Sequence, residues 1–440
     1  MKPSPVKLLD RITARPRVVF VNLVNELMIA KAPADYARRM AIVTPRELCT
    51  CFPGDVLVIP CPISDVFKNY CLELIGLDAG SVTIIATPEP YLSPLATYFT
   101  GQEQFARLKA ALCGDGFALD CFAPDLPTID LANALGIPLL GYDSQVPASA
   151  MAIYYLLNTK AGFKQIAKEL GLPVLDGRYC ASPESVYELA RSGSLRHKQY
   201  KIKPNRGSNG FGHLTLDVAA HENNGLAEHV KQLFNGLADQ PSGFVLEPFV
   251  PFVDSPSVEI HISRSGPMLT YTCSMRVPGG SFSGMLTPPG QEHAKMREQL
   301  DAYGLKFGEY LHRNDVFGFC DVDAGVTENG EMFLTETNLR KTGGTYLDLL
   351  MRRLVADDYE RTHSWLADSH PLQNQMSFAG VLDRLVSEGL AYDASRKRGV
   401  VLTADTLQWD RRVRYLCIGH SASDALDQET LLRQHFQFAD

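Results

Sequence analysis

The chain lacks the marks of several common protein classes. Its ten cysteines include no Cys-x-x-Cys pair, so neither a zinc ribbon nor a thioredoxin-type centre is indicated. It has no basic excess: 42 Lys and Arg face 50 Asp and Glu, a net charge of −8. A nucleic-acid binder needs a positive field that this balance does not supply. No stretch approaches the ~18 apolar residues of a membrane-spanning helix. The first apolar run, Val18–Val21, is broken by Asn22 and Asn25, so no secretion signal is expected. There is no internal repeat and no low-complexity tract. The cysteines, from Cys49 to Cys417, are scattered through apolar patterns and read as reduced core residues of a cytoplasmic protein, with a thioester-forming cysteine as the sharper alternative. What remains is a globular chain of 440 residues, 45% apolar and 21% charged, long enough for two or three domains.

The most informative segment is Gly318–Tyr346. It carries Asp321 on one apolar strand, a turn signal at Thr327-Glu-Asn-Gly330, and a second strand ending in Glu336-Thr-Asn338. Side chains alternate across a strand, so Glu336 and Asn338 share a face. A hairpin brings Asp321 beside them, and Asp323, two residues on, lies on the same face and is the alternative ligand. Three hard oxygen donors on one sheet face suit Mg²⁺. Arg340 follows on that face, placed to meet an anion. A solvated hairpin with acidic edges is the competing reading.

A second element lies upstream. The strand Tyr200–Lys203 runs through Pro204 into Gly207-Ser208-Asn209-Gly210-Phe-Gly212. Glycines let backbone N–H groups converge on an oxyanion, and a nearby lysine adds charge. This is not a Walker A loop, because His213 stands where that motif requires Lys-Ser/Thr. Nor is it a dinucleotide fingerprint, since the order is Gly-x-x-Gly-x-Gly and no helical pattern starts at once. Alone, it reads equally as a glycine-rich hairpin tip.

Residues 1–150 read as an α/β unit with short β-branched strands at Arg17–Val21, Asp55–Ile59, Ser81–Thr87, Phe117–Leu119 and Ile137–Leu140, as in a buried parallel sheet. One helix is expected from Ala148 to Leu170, its buried stripe formed by Phe163, Ile166, Ala167 and Leu170. Pro278–Gly290 is too rich in Gly, Pro and Ser for regular structure and reads as a mobile or substrate-gating loop. A long helix over Glu292–His312 follows. The tail, 373–440, alternates helix, strand, strand, helix and is expected to pack on the body.

At the two motif segments the sequence resembles the ATP-grasp superfamily, and in its whole layout the peptide-ligase branch typified by the pheganomycin peptide ligase. The resemblance covers about Ala150 to Leu350. It implies a Rossmann-like pre-ATP-grasp domain (1–150), a lid subdomain with the glycine-rich loop (151–245), a catalytic subdomain (246–372) and a small C-terminal α+β appendix (373–440). Lys160 then joins Lys203 as a phosphate-contacting lysine, although it also reads as a surface residue beside Lys164 and Lys168. Gly243–Val250, with Glu247 and Phe249, becomes the strand whose backbone reads adenine. Ser257 matches the ribose-facing position, where an acid or histidine is common, so Asp254 is the alternative. Arg340 would stabilise the transferring phosphoryl group, and Arg276 would hold a substrate carboxylate. Arg276 also reads as an exposed strand-end arginine. His261 reads as a structural histidine or a base. ATP and Mg²⁺ (or Mn²⁺) are the implied cofactors, with small carboxylate and amine substrates such as amino acids or peptides. No nucleic-acid or membrane partner is expected, and a homodimer is compatible with the chain. The implied activity is amide-bond formation through an acyl phosphate. The alternatives are a thiol or other acceptor, or a nucleotide binder without catalysis.

Overall fold

A computed structural model describes residues 7–29, 32–192, 194–207, 210, 212–221, 225–234, 242–278, 282–287 and 294–439. Three sheets organise it. The first contains β1 (Arg17–Phe20), β2 (Val56–Ile59), β3 (Thr83–Ala86) and β4 (Ala118–Cys121), all parallel, in the order β3-β2-β1-β4. Val18, Val19 and Phe20 are all buried, as expected where helices cover both faces. The expected fifth strand is reduced to a bridge between Leu139 and Leu119.

The second sheet contains β5 (Arg178–Cys180), β6 (Gln199–Pro204), β7 (Leu214–Asp217) and β8 (Phe244–Pro248), antiparallel, in the order β5-β8-β6-β7. Helices Pro183–Arg191 and Gly225–Phe234 close a small core around Val186, Ile202, Leu216 and Val230.

The third is an eight-stranded antiparallel sheet. Its strands are β9 (Pro256–Ser263), β10 (Gly266–Arg276), β11 (Gly284–Thr287), β12 (Gly318–Val326), β13 (Met332–Asn338), β14 (Ser364–Pro371), β15 (Gly399–Asp405) and β16 (Arg412–Gly419), in the order β13-β12-β9-β10-β11-β14-β16-β15. The tail packs on the body as expected and extends this sheet by two strands. The helix Ala294–Arg313 lies so close beneath β9 that a Cβ at Gly304 would sit 2.9 Å from Val258. Val258, Ile260 and Ile262 fill that apolar face, which leaves Ser257, Glu259 and His261 on the other.

Two expectations are corrected. The helix expected over Ala148–Leu170 is two helices, Ala148–Leu157 and Lys160–Glu169. Thr159 ends the first and caps the second, its hydroxyl accepting from the Gly162 N–H at 3.1 Å. Asn158 is held by the Leu339 backbone instead of continuing the helix. The segment expected to be wholly irregular, Pro278–Gly290, contains β11, paired on both sides with β10 and β14. The rest of it, apart from Pro278, Phe282 and Ser283, lies outside the described residues. Among the described residues no helix is long and apolar enough to cross a membrane.

One ion network ties the parallel sheet to the large one. Arg17, 1% exposed, donates to Asp55 and, at 3.0 Å, to Asp120. Asp120 in turn meets Lys341, just beyond β13, at 2.7 Å. Removing one member of such a buried set leaves charges that neither water nor protein compensates. Arg17→Met should therefore cost about 3–5 kcal/mol in urea or guanidinium unfolding. A loss under ~1 kcal/mol, in the range of surface pairs, would show that the network does not carry this interface.

Candidate active site

The hairpin β12–β13 forms as the alternation predicted. Asp321 pairs with Asn338 and Asp323 with Glu336, and a bulge follows immediately after Asp323. β9 and β10 continue both rows. One reads Asn338–Asp321–Glu259–Tyr271 and the other Glu336–Asp323–Ser257–Cys273. Both rows face a cleft of about 560 Å³. Asp321 and Asp323 are buried there, and the Asn338 backbone N–H donates to Asp321 at 2.9 Å. Burial, opposed by Arg340, pushes the Asp321 carboxyl up to about 7. Asp323 is driven well above the usual range by burial and by its neighbours Asp321 and Glu336, and its Oδ1 has no hydrogen-bond partner. Crowded acids with an orphan buried oxygen and an all-oxygen donor set fit a hard divalent cation such as Mg²⁺.

Glu336 behaves differently. Burial would raise it, but Lys160 outweighs burial and holds it down at about 2. Lys160 Nζ lies 2.5 Å from Glu336 Oε2, and its side chain is 6% exposed. The surface reading of Lys160 is thus excluded: the helix break places it at the first turn of Lys160–Glu169, turned towards Glu336 at the edge of the cleft. Lys203 reaches the same region from the end of β6. Its ammonium pairs with Glu247, which also takes Lys164 at 2.7 Å. The Glu247 side chain therefore positions two lysines. Phe249 is partly exposed, with Lys201 5.4 Å above its ring.

Gly210 and His213 line the cleft beside Lys203 and Glu336. Burial, with Lys160 and Lys203 adding to it, lowers His213 to about 3, so it is a neutral imidazole at pH 7. Gly207 and Gly212 are described, the latter at φ +74°, where a side chain would be strained. Ser208 and Asn209 lie outside the described residues. Ser257 stands opposite Asp323 in the acid row. Asp254 is occupied by Ser274 and the Ser255 N–H.

Arg340 is buried beyond the end of β13. It donates to Asn338 Oδ1 and, at 3.4 Å, to the Lys341 carbonyl. Its Nε has no partner, and among the described residues no carboxylate pairs with it. That leaves donors for an anion. Arg276, expected to hold a substrate carboxylate, has carboxylate partners within the chain. Its guanidinium is a two-pronged fork on Glu429, at 2.7 and 2.8 Å, and also donates to Asp368 at 2.9 Å. The tail helix thus satisfies the group that a substrate carboxylate would need. His261 is buried against the Phe319 ring, and burial lowers it to about 3, the behaviour of a structural histidine.

Residues 44–137 match the family model of the pre ATP-grasp domain, and residues 380–432 match that of the PGM1 C-terminal domain. Solved structures resemble nearly the whole chain. N5-carboxyaminoimidazole ribonucleotide synthetase from Thermus thermophilus is 13% identical over 95% of this chain and 98% of its own, with a TM-score of 0.57. Biotin carboxylase from Campylobacter jejuni is 13% identical over 97% and 92%, with a TM-score of 0.58. L-amino acid ligase from Bacillus licheniformis is 12% identical over 97% and 99%, with a TM-score of 0.54. The fold is that of the ATP-grasp enzymes. No curated protein sequence matches the chain.

Three residues that support this cleft carry no local mark that the sequence reading could use. Asn205 accepts the Lys160 N–H on its carbonyl and the Ala161 N–H on its side chain, both at 2.9 Å. It thereby caps the Lys160 helix from the strand that carries Lys203. Lys164 was set aside as a surface lysine. Glu259 lay unremarked in a cleanly alternating strand. It is fully buried and accepts from Thr342 at 3.1 Å, from Thr270 at 3.2 Å and from Thr345.

Burial, against these hydroxyls, pushes the Glu259 carboxyl up to about 8 from its ordinary 4.5. The folded chain therefore holds this proton more tightly than the unfolded one. Its contribution is full below about pH 4.5 and is lost as pH rises towards 8. With a chelator present, stability of the wild type relative to Glu259→Gln should fall between those values. Parallel stability curves for the two proteins would mean that Glu259 is ionised throughout.

Proposed function

We propose that the chain is an ATP-dependent carboxylate–amine ligase that activates a carboxylate as an acyl phosphate. The observation that carries this is the pairing of Lys160 with Glu336, which lines the cleft. A phosphate-seeking cation and a candidate metal-ligating acid neutralise each other at the place where a triphosphate would separate them.

In this reading Lys160 and Lys203 hold phosphate oxygens as point charges. Gly207, Gly210 and Gly212 offer backbone N–H groups beside Lys203, and exclusion of water there matters because an acyl phosphate hydrolyses readily. Asp321, Asp323, Glu336 and Asn338 hold Mg²⁺ or Mn²⁺, which when bound supplies positive charge to phosphate oxygens. Gly243–Val250 reads adenine and Ser257 lies towards the ribose. Residues 1–150 form the pre-ATP-grasp domain, 151–245 the lid, 246–372 the catalytic subdomain, and 373–440 complete its sheet. Arg340 stabilises the group in transfer.

A substrate carboxylate oxygen attacks the γ-phosphorus, and the bond from that phosphorus to the β-phosphate oxygen breaks, releasing ADP. The amine nitrogen then attacks the acyl carbon. The carbon–oxygen bond to phosphate breaks with its electron pair, phosphate leaves, and the nitrogen gives up a proton. The finer reading, a peptide ligase of the pheganomycin type acting on amino acids or small peptides, rests on the whole-chain layout, with a Rossmann-like front and a small C-terminal appendix. A structural neighbour that is an L-amino acid ligase supports the same direction.

Nucleotide analysis of reactions screened over amino acid and amine pairs tests this. ADP and phosphate should form in equal amounts with product, and hydroxylamine should trap the activated acid as a hydroxamate. AMP and pyrophosphate as stoichiometric products would overturn the acyl-phosphate reading. Glu336→Gln should keep the fold and lower turnover on the order of 10²–10³-fold. Near-normal turnover with an unchanged Mg²⁺ requirement would remove Glu336 from the metal set.

A further inference from the structure

The cleft does not end at Arg340. It continues past Tyr271 and Thr342, whose hydroxyls lie 3.3 Å apart, into a chamber between the N-terminal segment and the large sheet. Four methionines line this chamber, Met28 and Met40 from one side and Met275 and Met285 from the other. Arg46 also faces it. The Arg46 side chain is 13% exposed, and its guanidinium is centred 4.3 Å from the centroid of the Tyr346 ring. Its nearest acid is Glu47, with 3.6 Å between Nε and the carboxyl oxygen, beyond a hydrogen bond. Nε is buried without a hydrogen-bond partner. Two other part-buried arginines near this end of the cleft are already committed, Arg414 to Asp410 at 2.6 Å and Arg276 to Glu429 and Asp368.

A guanidinium held flat by an aromatic ring, with unspent donors, is built to take a carboxylate with its planar fork. Methionine is unbranched and polarisable, so a methionine-lined wall accepts apolar groups of differing shape. The two features meet in one chamber, continuous with the candidate metal row. We propose that this chamber binds the amine-donating substrate as an α-amino acid or short peptide with an apolar side chain. Its free carboxylate rests on Arg46 and its side chain rests against the methionines, which leaves its amine directed towards the reacting centre. The inference rests on the ligase reading and deepens it by naming the substrate class and a specificity-determining residue, Arg46.

The test is a binding measurement that needs no turnover, so it stands apart from the product analysis above. L-leucine, L-leucinamide and L-aspartate are titrated calorimetrically into the full chain with Mg²⁺ and a non-hydrolysable ATP analogue. Wild type should bind leucine at least about 10-fold more tightly than leucinamide or aspartate, a difference of ~1.4 kcal/mol. Arg46→Gln should remove the preference for leucine over leucinamide while leaving leucinamide binding unchanged. Arg46→Lys should restore part of it. Thermal melts of both variants establish that they are folded. Equal affinity of wild type for leucine and its amide, an unaltered preference in Arg46→Gln, or no binding of leucine at all would each overturn the proposal. If leucine binds as expected while the reaction yields AMP and pyrophosphate, the chamber stands and the acyl-phosphate reading fails.

Discussion

A charge as deeply buried as that of Lys160 must be paired, here with the partly exposed Glu336, and much of the cleft is arranged around that requirement. The helix that could have run from Ala148 to Leu170 is interrupted at Asn158–Thr159, and the interruption turns Lys160 inward. Asn205 caps the new helix start and so fixes Lys160 relative to the strand carrying Lys203. Glu247 is the shared partner of Lys203 and the buried Lys164. Opposite them, Asp321 and Asp323 are acids without a cation and are driven towards protonation. Three lysines thus share two carboxylates, Glu247 and Glu336, on one side, and two crowded acids lack an ion pair on the other. An incoming metal–polyphosphate pair would complement both sides at once.

The two faces of the large sheet divide the work. Below, Gly304 and Gly308 let a helix press directly on Val258 and Ile260, which makes β9 and β12 a rigid floor. Above, the same strands present Ser257, Asp321 and Asp323 to the cleft. The tail contributes by extending the sheet and by occupying Arg276, a group that would otherwise offer a second anion site near the chamber.

The parts legible in the sequence were those set by local periodicity. Alternation placed Asp321, Asp323, Glu336 and Asn338 on one face because a strand has only two faces and a short turn fixes the register. Apolar β-branched runs marked the parallel sheet for the same reason. Long-range pairing was not legible. Nothing local in Arg276 announces Glu429, some 150 positions later, and nothing in Lys164 announces Glu247. The helix break at Thr159 was missed because its buried stripe continues in phase across the interruption, and only the capping hydroxyl betrays it. The strand Gly284–Thr287 was hidden by the glycines and prolines around it. Its pairing comes from neighbours on both sides, not from its own propensity.

The central claim is that the acid row and the two lysines form one metal–triphosphate site. Its most direct test is a crystal structure with Mn²⁺ and a non-hydrolysable ATP analogue, the metal located by anomalous scattering. The account predicts the anomalous peak among Asp321, Asp323, Glu336 and Asn338, with the Lys160 ammonium moved from Glu336 to a phosphate oxygen. A peak at the other cluster of metal-type donors, Asp368, His370 and Glu429, with the Lys160–Glu336 pair intact, would contradict it.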